Sequence, residues 1–213
     1  MDYKKFQESL DKWKKVYKSL DEETRFVQKK KAASKEVEKA EAELGCILPE
    51  QLRNFFLDFS GYLYIFSNLP DELELPEGLE EVFSASFLIS LDEVVNAETC
   101  RKDWADNCFS DVNNEYDRVW HGKLGIMTVA NGDIIALDVE KENPPVVYLS
   151  HDDGEGHGAV LGTDFFSYLN AIAEVGFCGN EDWQMLPFMD DMTSGINPDC
   201  ENAKNYRACV SEK

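Results

Sequence analysis

Residues 122–138 read Gly122-Lys123-Leu124-Gly125-Ile126-Met127-Thr128-Val129-Ala130-Asn131-Gly132-Asp133-Ile134-Ile135-Ala136-Leu137-Asp138. Two β-rich runs meet at Asn131-Gly132, a pair that tolerates the positive φ of a tight hairpin turn. A third run, Val146-Val147-Tyr148-Leu149-Ser150, follows Pro144-Pro145, residues that fit only a strand start or edge. An antiparallel meander is therefore the expected centre of the fold. Tyr62–Phe66 and Ser86–Ser90 are further strand candidates.

Helical spacing flanks this centre. Val37, Ala40 and Leu44 predict a helix capped by Ser34 and ended by Gly45. Pro49 suits the first turn of the next helix. That helix carries Leu52, Phe55, Phe56 and Phe59 on one face and closes at Gly61, and its phenylalanines read as core. Leu91 to about Asp103 should be helical with Ser90 as cap. Residues 107–115 read as a loop, with strand opening near Val119-Trp120. Asp164, Phe165, Phe166, Leu169, Ile172 and Ala173 form a last amphipathic helix ended by Gly176. Phe6, Leu10, Trp13, Tyr17 and Leu20 predict a helix over about 2–19 that docks through Trp13 and Tyr17. Helix is expected to resume after Asp21-Glu22-Glu23. Helices first, sheet next and a helix last argue for α+β, with helices on one side of an antiparallel-rich sheet.

The order and spacing of these segments resemble the SUKH superfamily of bacterial immunity proteins and cell-wall-regulator relatives. The resemblance rests on the helix ending Leu44-Gly45, the Leu48-Pro49-led helix, the Ile126…Ala130…Gly132-Asp133…Leu137-Asp138 hairpin and the Phe165…Leu169 helix. It covers roughly residues 33–178 and implies a SUKH-like fold. The chain then divides into an N-terminal helical extension (1–32), the α+β domain (33–178) and a C-terminal acidic arm and tail (179–213). Apolar periodicity fades after Gly179, and from about 193 a loosely held tail is expected, with Tyr206 as the anchor of a short helix. In function it implies a protein-binding module: an immunity protein that occludes a toxin, or an intracellular scaffold or regulator.

Charge is unevenly laid out. Residues 1–39 carry 12 Lys/Arg against 8 Asp/Glu, whereas the remainder carries 9 against 34 and the whole chain is −21. No Lys or Arg occurs from Asn54 to Cys100 or from Glu142 to Ala203. Such a field repels phosphate, which argues against nucleic acid, and favours a basic partner such as a nuclease toxin. The competing reading is that acidity only keeps the chain soluble. No apolar run is long enough to span a membrane. The N-terminus lacks the apolar core of a signal peptide, and the six cysteines show no CxxC pair, so a cytoplasmic protein with reduced thiols is expected.

Chemistry has one candidate stretch, His151-Asp152-Asp153-Gly154-Glu155-Gly156-His157. Two histidines and three carboxylates could hold a metal, and a metal-dependent enzyme is the third functional reading. The spacing matches no defined ligand pattern, and a Gly-rich acidic loop needs no metal. Asp133 and Asp138 would point to opposite faces of a strand, a poor acid–base pair. With no nucleophile elbow and no phosphate-cradling loop, the expectation is a non-enzyme without metal or cofactor. Asp71, Glu72, Glu74, Trp120, Asp152, Asp153 and Glu155 are the candidate partner-binding residues, placed in loops or at strand edges.

Overall fold

The computed structural model describes residues 2–211. Helix α1 (Tyr3–Leu20) starts at Asp2, whose carboxylate accepts the Lys4 and Lys5 N–H groups, and buries Phe6, Leu10, Trp13 and Tyr17. It docks through the residues its spacing predicts. It does not resume as helix. Asp21 turns extended, and Arg25–Gln28 becomes strand β1, paired antiparallel with β2 (Tyr62–Asn68). Phe26 and Val27 are the only apolar residues of β1, too few for a helical face, so pairing with β2 decides its conformation.

Helix α2 (Ser34–Leu44) begins at the residue expected to cap it, so the cap lies one residue earlier. Ala33 holds the N-cap position, and the Glu36 carboxylate accepts its N–H at 2.7 Å. Helix α3 (Glu50–Asn54) follows Pro49 and runs into a π-helical turn, Phe55–Phe59, where the Ser60 N–H bonds the Phe55 carbonyl. Phe55 and Phe56 are fully buried, and Phe59 stacks on Tyr3 at 5.2 Å. Strand β3 (Ser84–Ser90) completes a three-stranded sheet of order β1-β2-β3.

Ser90 caps α4 (Leu91–Asn107) by accepting the Glu93 N–H. After the loop expected over 107–115, a short helix, α5 (Glu115–Val119), capped by Asn114, stands where strand was expected to open, and strand begins only at Lys123. Strands β4 (Lys123–Thr128), β5 (Ile134–Asp138), β6 (Val146–Leu149) and β7 (Val160–Gly162) form a second antiparallel sheet in sequence order. The hairpin turns at Asn131-Gly132, but only Gly132 has positive φ (103°). The Gly132 N–H bonds the Val129 carbonyl and the Val129 N–H bonds that of Asp133, the pattern of a three-residue loop with a bulge.

Helix α4 lies directly on β4. A Cβ on Gly125 would come within 2.6 Å of the Ala97 backbone, so glycine permits that approach. Under the contact, the Glu98 carboxylate accepts the Gly125 N–H and two Arg101 N–H groups, each at 2.8 Å. Arg101 Nη1 donates to the Trp120 carbonyl at 2.6 Å.

Alternation along β5 and β6 buries both faces of this sheet. Ile135, Leu137, Val146 and Tyr148 join the main core, while Ile134, Ala136, Val147 and Leu149 pack with Ala105 and Trp120 in a smaller cluster. Cover on one side only was the expectation. The second cluster arises because α4, α5 and the Trp120 turn close the other face.

Helix α6 (Phe165–Glu174) closes at Gly176, as its sequence predicts, whereas Asp164, expected within the helix, is its N-cap. The tail expected to be loosely held is packed, and the short helix expected at Tyr206 is present. Helix α7 (Asp182–Met185), a 3₁₀ turn at Leu186–Phe188 and α8 (Glu201–Ser211) pack on the main core, with Phe188, Ala203, Tyr206 and Val210 buried. The Tyr17 hydroxyl donates to the Gly176 carbonyl at 2.6 Å and lies 3.3 Å from that of Tyr206, which joins both ends of the chain to the end of α6.

Candidate functional site

The β4–β5 turn and the loop after β6 meet on Asp133. This carboxylate is 1% exposed and accepts four hydrogen bonds. They come from the Tyr148 hydroxyl (2.6 Å), Asn131 Nδ2 (2.7 Å), the His151 N–H (2.8 Å) and His151 Nδ1 (2.6 Å). Burial, followed by the bond to Asp133, raises the Tyr148 pKa and keeps the phenol protonated as donor. The His151 ring stacks on Trp104, with centroids 4.8 Å apart, and Trp104 Nε1 donates to the Gly132 carbonyl.

His157 is held differently. Its Nδ1 accepts the Ser150 N–H at 3.1 Å and its Nε2 donates to the Tyr116 carbonyl at 3.0 Å. The ring stacks on Tyr116 at 3.7 Å, and burial holds its pKa below the usual histidine value. A neutral imidazole with both nitrogens engaged has no lone pair for a metal.

The loop's glycines have a packing reason. A Cβ on Gly154 or Gly156 would meet Asp182 at 2.7 or 2.4 Å, and the Gly156 N–H donates to Asp182 Oδ2 at 2.8 Å. Tyr116 clamps the loop from the other side, donating to the Ser150 carbonyl and accepting the Asp153 N–H.

Asp133, His151 and Asp152 each place a ligand atom within 4.8 Å of the others. The Asp133 oxygens already accept four protein donors, and Asp152 accepts the Ser150 hydroxyl at 2.9 Å. An Asp–His pair can orient a general base, which then needs a substrate proton or nucleophile within reach. Among the described residues no hydroxyl or thiol hydrogen-bonds His151 Nε2. The arrangement ties a hairpin to a loop.

Of the expected partner-binding residues, Asp71, Glu72, Glu74, Asp152, Asp153 and Glu155 are exposed. Trp120 is not: it is 0% exposed, stacked on Phe109 at 4.9 Å. It belongs to the second core cluster, so its assignment to a binding surface is corrected. The six carboxylates fall in two segments that no hydrogen bond or ion pair joins. Helix α7 lies between the two loops, since Asp182 holds Gly156 while Gln184 Nε2 donates to the Glu81 carbonyl and the Ser84 hydroxyl. Tyr148, Trp104 and Glu181 escape the sequence reading, which weighs Asp133 only against Asp138 and not as the anchor of this cluster. The one local signal is an aspartate opening an otherwise apolar strand.

Glu181 sits beside this cluster with a buried Oε2 that meets no hydrogen-bond donor. Burial, then the charges of Asp133 and Asp182, push its pKa up from 4.5 to about 7. The native state therefore holds a proton that the unfolded chain has released between those values, and stability falls as pH rises through that window. Glu181→Gln keeps the acceptor and removes the charge. Its melting temperature should exceed that of the parent at about pH 8 and match it at about pH 4. An equal difference at both pH values would assign the effect to packing.

No curated protein and no solved structure matches the chain. One family does. Residues 31–171, about two thirds of the sequence, match the SMI1 / KNR4 family (SUKH-1). That span begins after β1, ends within α6 and takes in the Asn131-Gly132 hairpin with Asp133, Tyr148 and His151. The chain belongs to the SMI1 / KNR4 family (SUKH-1), as its hairpin and its Leu-Gly and Leu-Pro helices imply.

Proposed function

We propose that the protein is a non-enzymatic binding module of the immunity type, acting in the cytoplasm to neutralise a toxin of basic surface by direct contact. The observation that carries this reading is the state of the six exposed carboxylates. Among the described residues none of Asp71, Glu72, Glu74, Asp152, Asp153 or Glu155 has an ion-pair partner. Solubility alone asks only for net charge somewhere on the surface, not for unpaired carboxylates in these two loops. An uncompensated acidic face instead steers a cationic surface toward it and selects against acidic ones.

The test is coexpression with toxins encoded beside the gene, followed by association kinetics with the one that is neutralised. Growth rescue and a stable complex are expected, whereas failure to rescue from any neighbouring toxin overturns the reading and leaves a scaffold or regulator. Raising salt to about 0.5 M shrinks the Debye length to about 4 Å, and the association rate should fall tenfold or more. Asp152→Lys together with Asp153→Lys should lower the on-rate more than it raises the off-rate, because both residues are exposed. A rate indifferent to salt and to both reversals would assign the charge to solubility.

A further inference from the structure

The most basic part of this acidic chain lies along an open sheet edge. Strand β1 is the outer strand of its sheet, so only its inner edge is paired. The Lys29 N–H bonds the Tyr62 carbonyl on the inner side. By the alternation of an antiparallel ladder, the N–H and C=O groups of Phe26 and Gln28 face outward. Such edges are usually covered, bulged or shortened. This one lies between two concavities that share Gln28. A groove of about 860 Å³ carries Lys29, Lys30, Lys31 and Lys39 together with Glu36, Glu43 and Asp92, and one of about 330 Å³ sets Leu10, Phe26, Val27 and Leu63 beside Asp11 and Lys14.

Apart from Lys39, which pairs with Glu43 at 3.5 Å, the cations here are unspent. Lys14, Arg25, Lys29, Lys30 and Lys31 are exposed, and among the described residues none of them forms an ion pair; Lys29 Nζ lies over the Tyr62 ring at 4.5 Å. Val27 is 41% exposed, an apolar side chain on the same strand.

We propose that the outer edge of β1, with the Arg25 to Lys31 run, docks an extended acidic segment of a partner protein as a fourth strand. Backbone groups would supply the ladder, the lysines would meet carboxylates, and the smaller concavity would take an apolar side chain. Two other occupants fit less well. A second copy pairing β1 against β1 antiparallel would bring Arg25 toward the partner's lysine run, and like charges across a ladder repel. A nucleic acid cannot extend the ladder, because its backbone offers no alternating N–H and C=O groups to the strand. This surface is opposite in sign to the acidic face and stands whether or not that face binds a toxin.

The competing role for the lysines is to guard the edge against aggregation. The two roles separate by fluorescence polarisation on the full chain, with a fluorescein-labelled octapeptide alternating Glu and Val as probe. The matching Lys–Val peptide and a single-stranded RNA oligomer serve as competitors. The acidic probe should bind, neither competitor should displace it, and added salt should weaken it. Lys29→Glu, Lys30→Glu and Lys31→Glu combined should weaken binding on the order of tenfold or more without shifting thermal unfolding, since all three side chains are exposed. Gln28→Pro, which removes an outward N–H and leaves the charge intact, should also weaken it. In the parent protein the Phe26 and Gln28 amide resonances should move on titration, a readout independent of any variant. Three results overturn the proposal: an acidic probe that binds no better than the basic one or is insensitive to the charge reversals, displacement by RNA, and binding that leaves the Phe26 and Gln28 amides unmoved.

Discussion

Glu98→Ala should lower the folding free energy by about 3–5 kcal/mol, read as a reduced midpoint of denaturant unfolding at unchanged slope. Glu98 is 6% exposed and Arg101 is 7% exposed, so neither charge can turn to water. The carboxylate serves both the guanidinium and the Gly125 N–H, and it also lies 3.4 Å from Lys102 Nζ. Removing it strands a buried cation and a buried amide together. The loss falls where α4 is pressed on β4, because Gly125 has no side chain with which to fill the gap. Replacing both Glu98 and Arg101 by methionine removes the two charges at once and should recover most of the loss, since a buried pair exchanged for apolar residues is often neutral. A single-residue cost below about 1 kcal/mol would mean that water reaches the pair.

The contrast between that buried pair and the residues legible from sequence is instructive. Local punctuation reads well: Asn131-Gly132, the Ser90 cap, Asp164 and Gly176 act within a few residues of themselves, and the structure places each where its chemistry suggests. Strand β1 does not read, because four residues with one half-buried phenylalanine become a strand only through β2, which lies over thirty residues away in sequence. The split into two sheets and the docking of α8 are likewise settled by pairing and packing that no window of sequence contains.

The site divides along the same line. The composition of the 151–157 loop marks it as unusual, yet its anchor is Asp133, whose bonds to Tyr148 and His151 span 15 and 18 residues. Trp120 sits between polar segments and reads as surface. Long-range contacts reverse that reading, since Phe109 stacks on its ring and Arg101 binds its carbonyl, turning it inward.

A fragment trimmed to residues 33–178 should show no cooperative unfolding transition, although it contains the matched family segment almost entire. The core does not stop at those limits. Phe6, Leu10, Trp13 and Tyr17 from α1, and Met185, Phe188, Tyr206 and Val210 from the C-terminal arm, belong to the same buried cluster as Leu52, Phe87 and Leu169. Losing one large aromatic from a core costs about 3–5 kcal/mol. A whole domain is held by only about 5–15 kcal/mol, so removing Trp13, Tyr17, Phe188 and Tyr206 together exceeds the total. The fragment also loses β1 and exposes the edge of β2, a template for aggregation. The single substitutions should grade the same effect: Trp13→Ala about 3–5 kcal/mol, and Tyr17→Phe about 1 kcal/mol for the hydrogen bond to Gly176. A 33–178 fragment that melts cooperatively near the temperature of the full chain would show that both ends merely rest on a self-sufficient domain. Calorimetry on the fragment and the full chain, at matched pH and salt, separates the two outcomes.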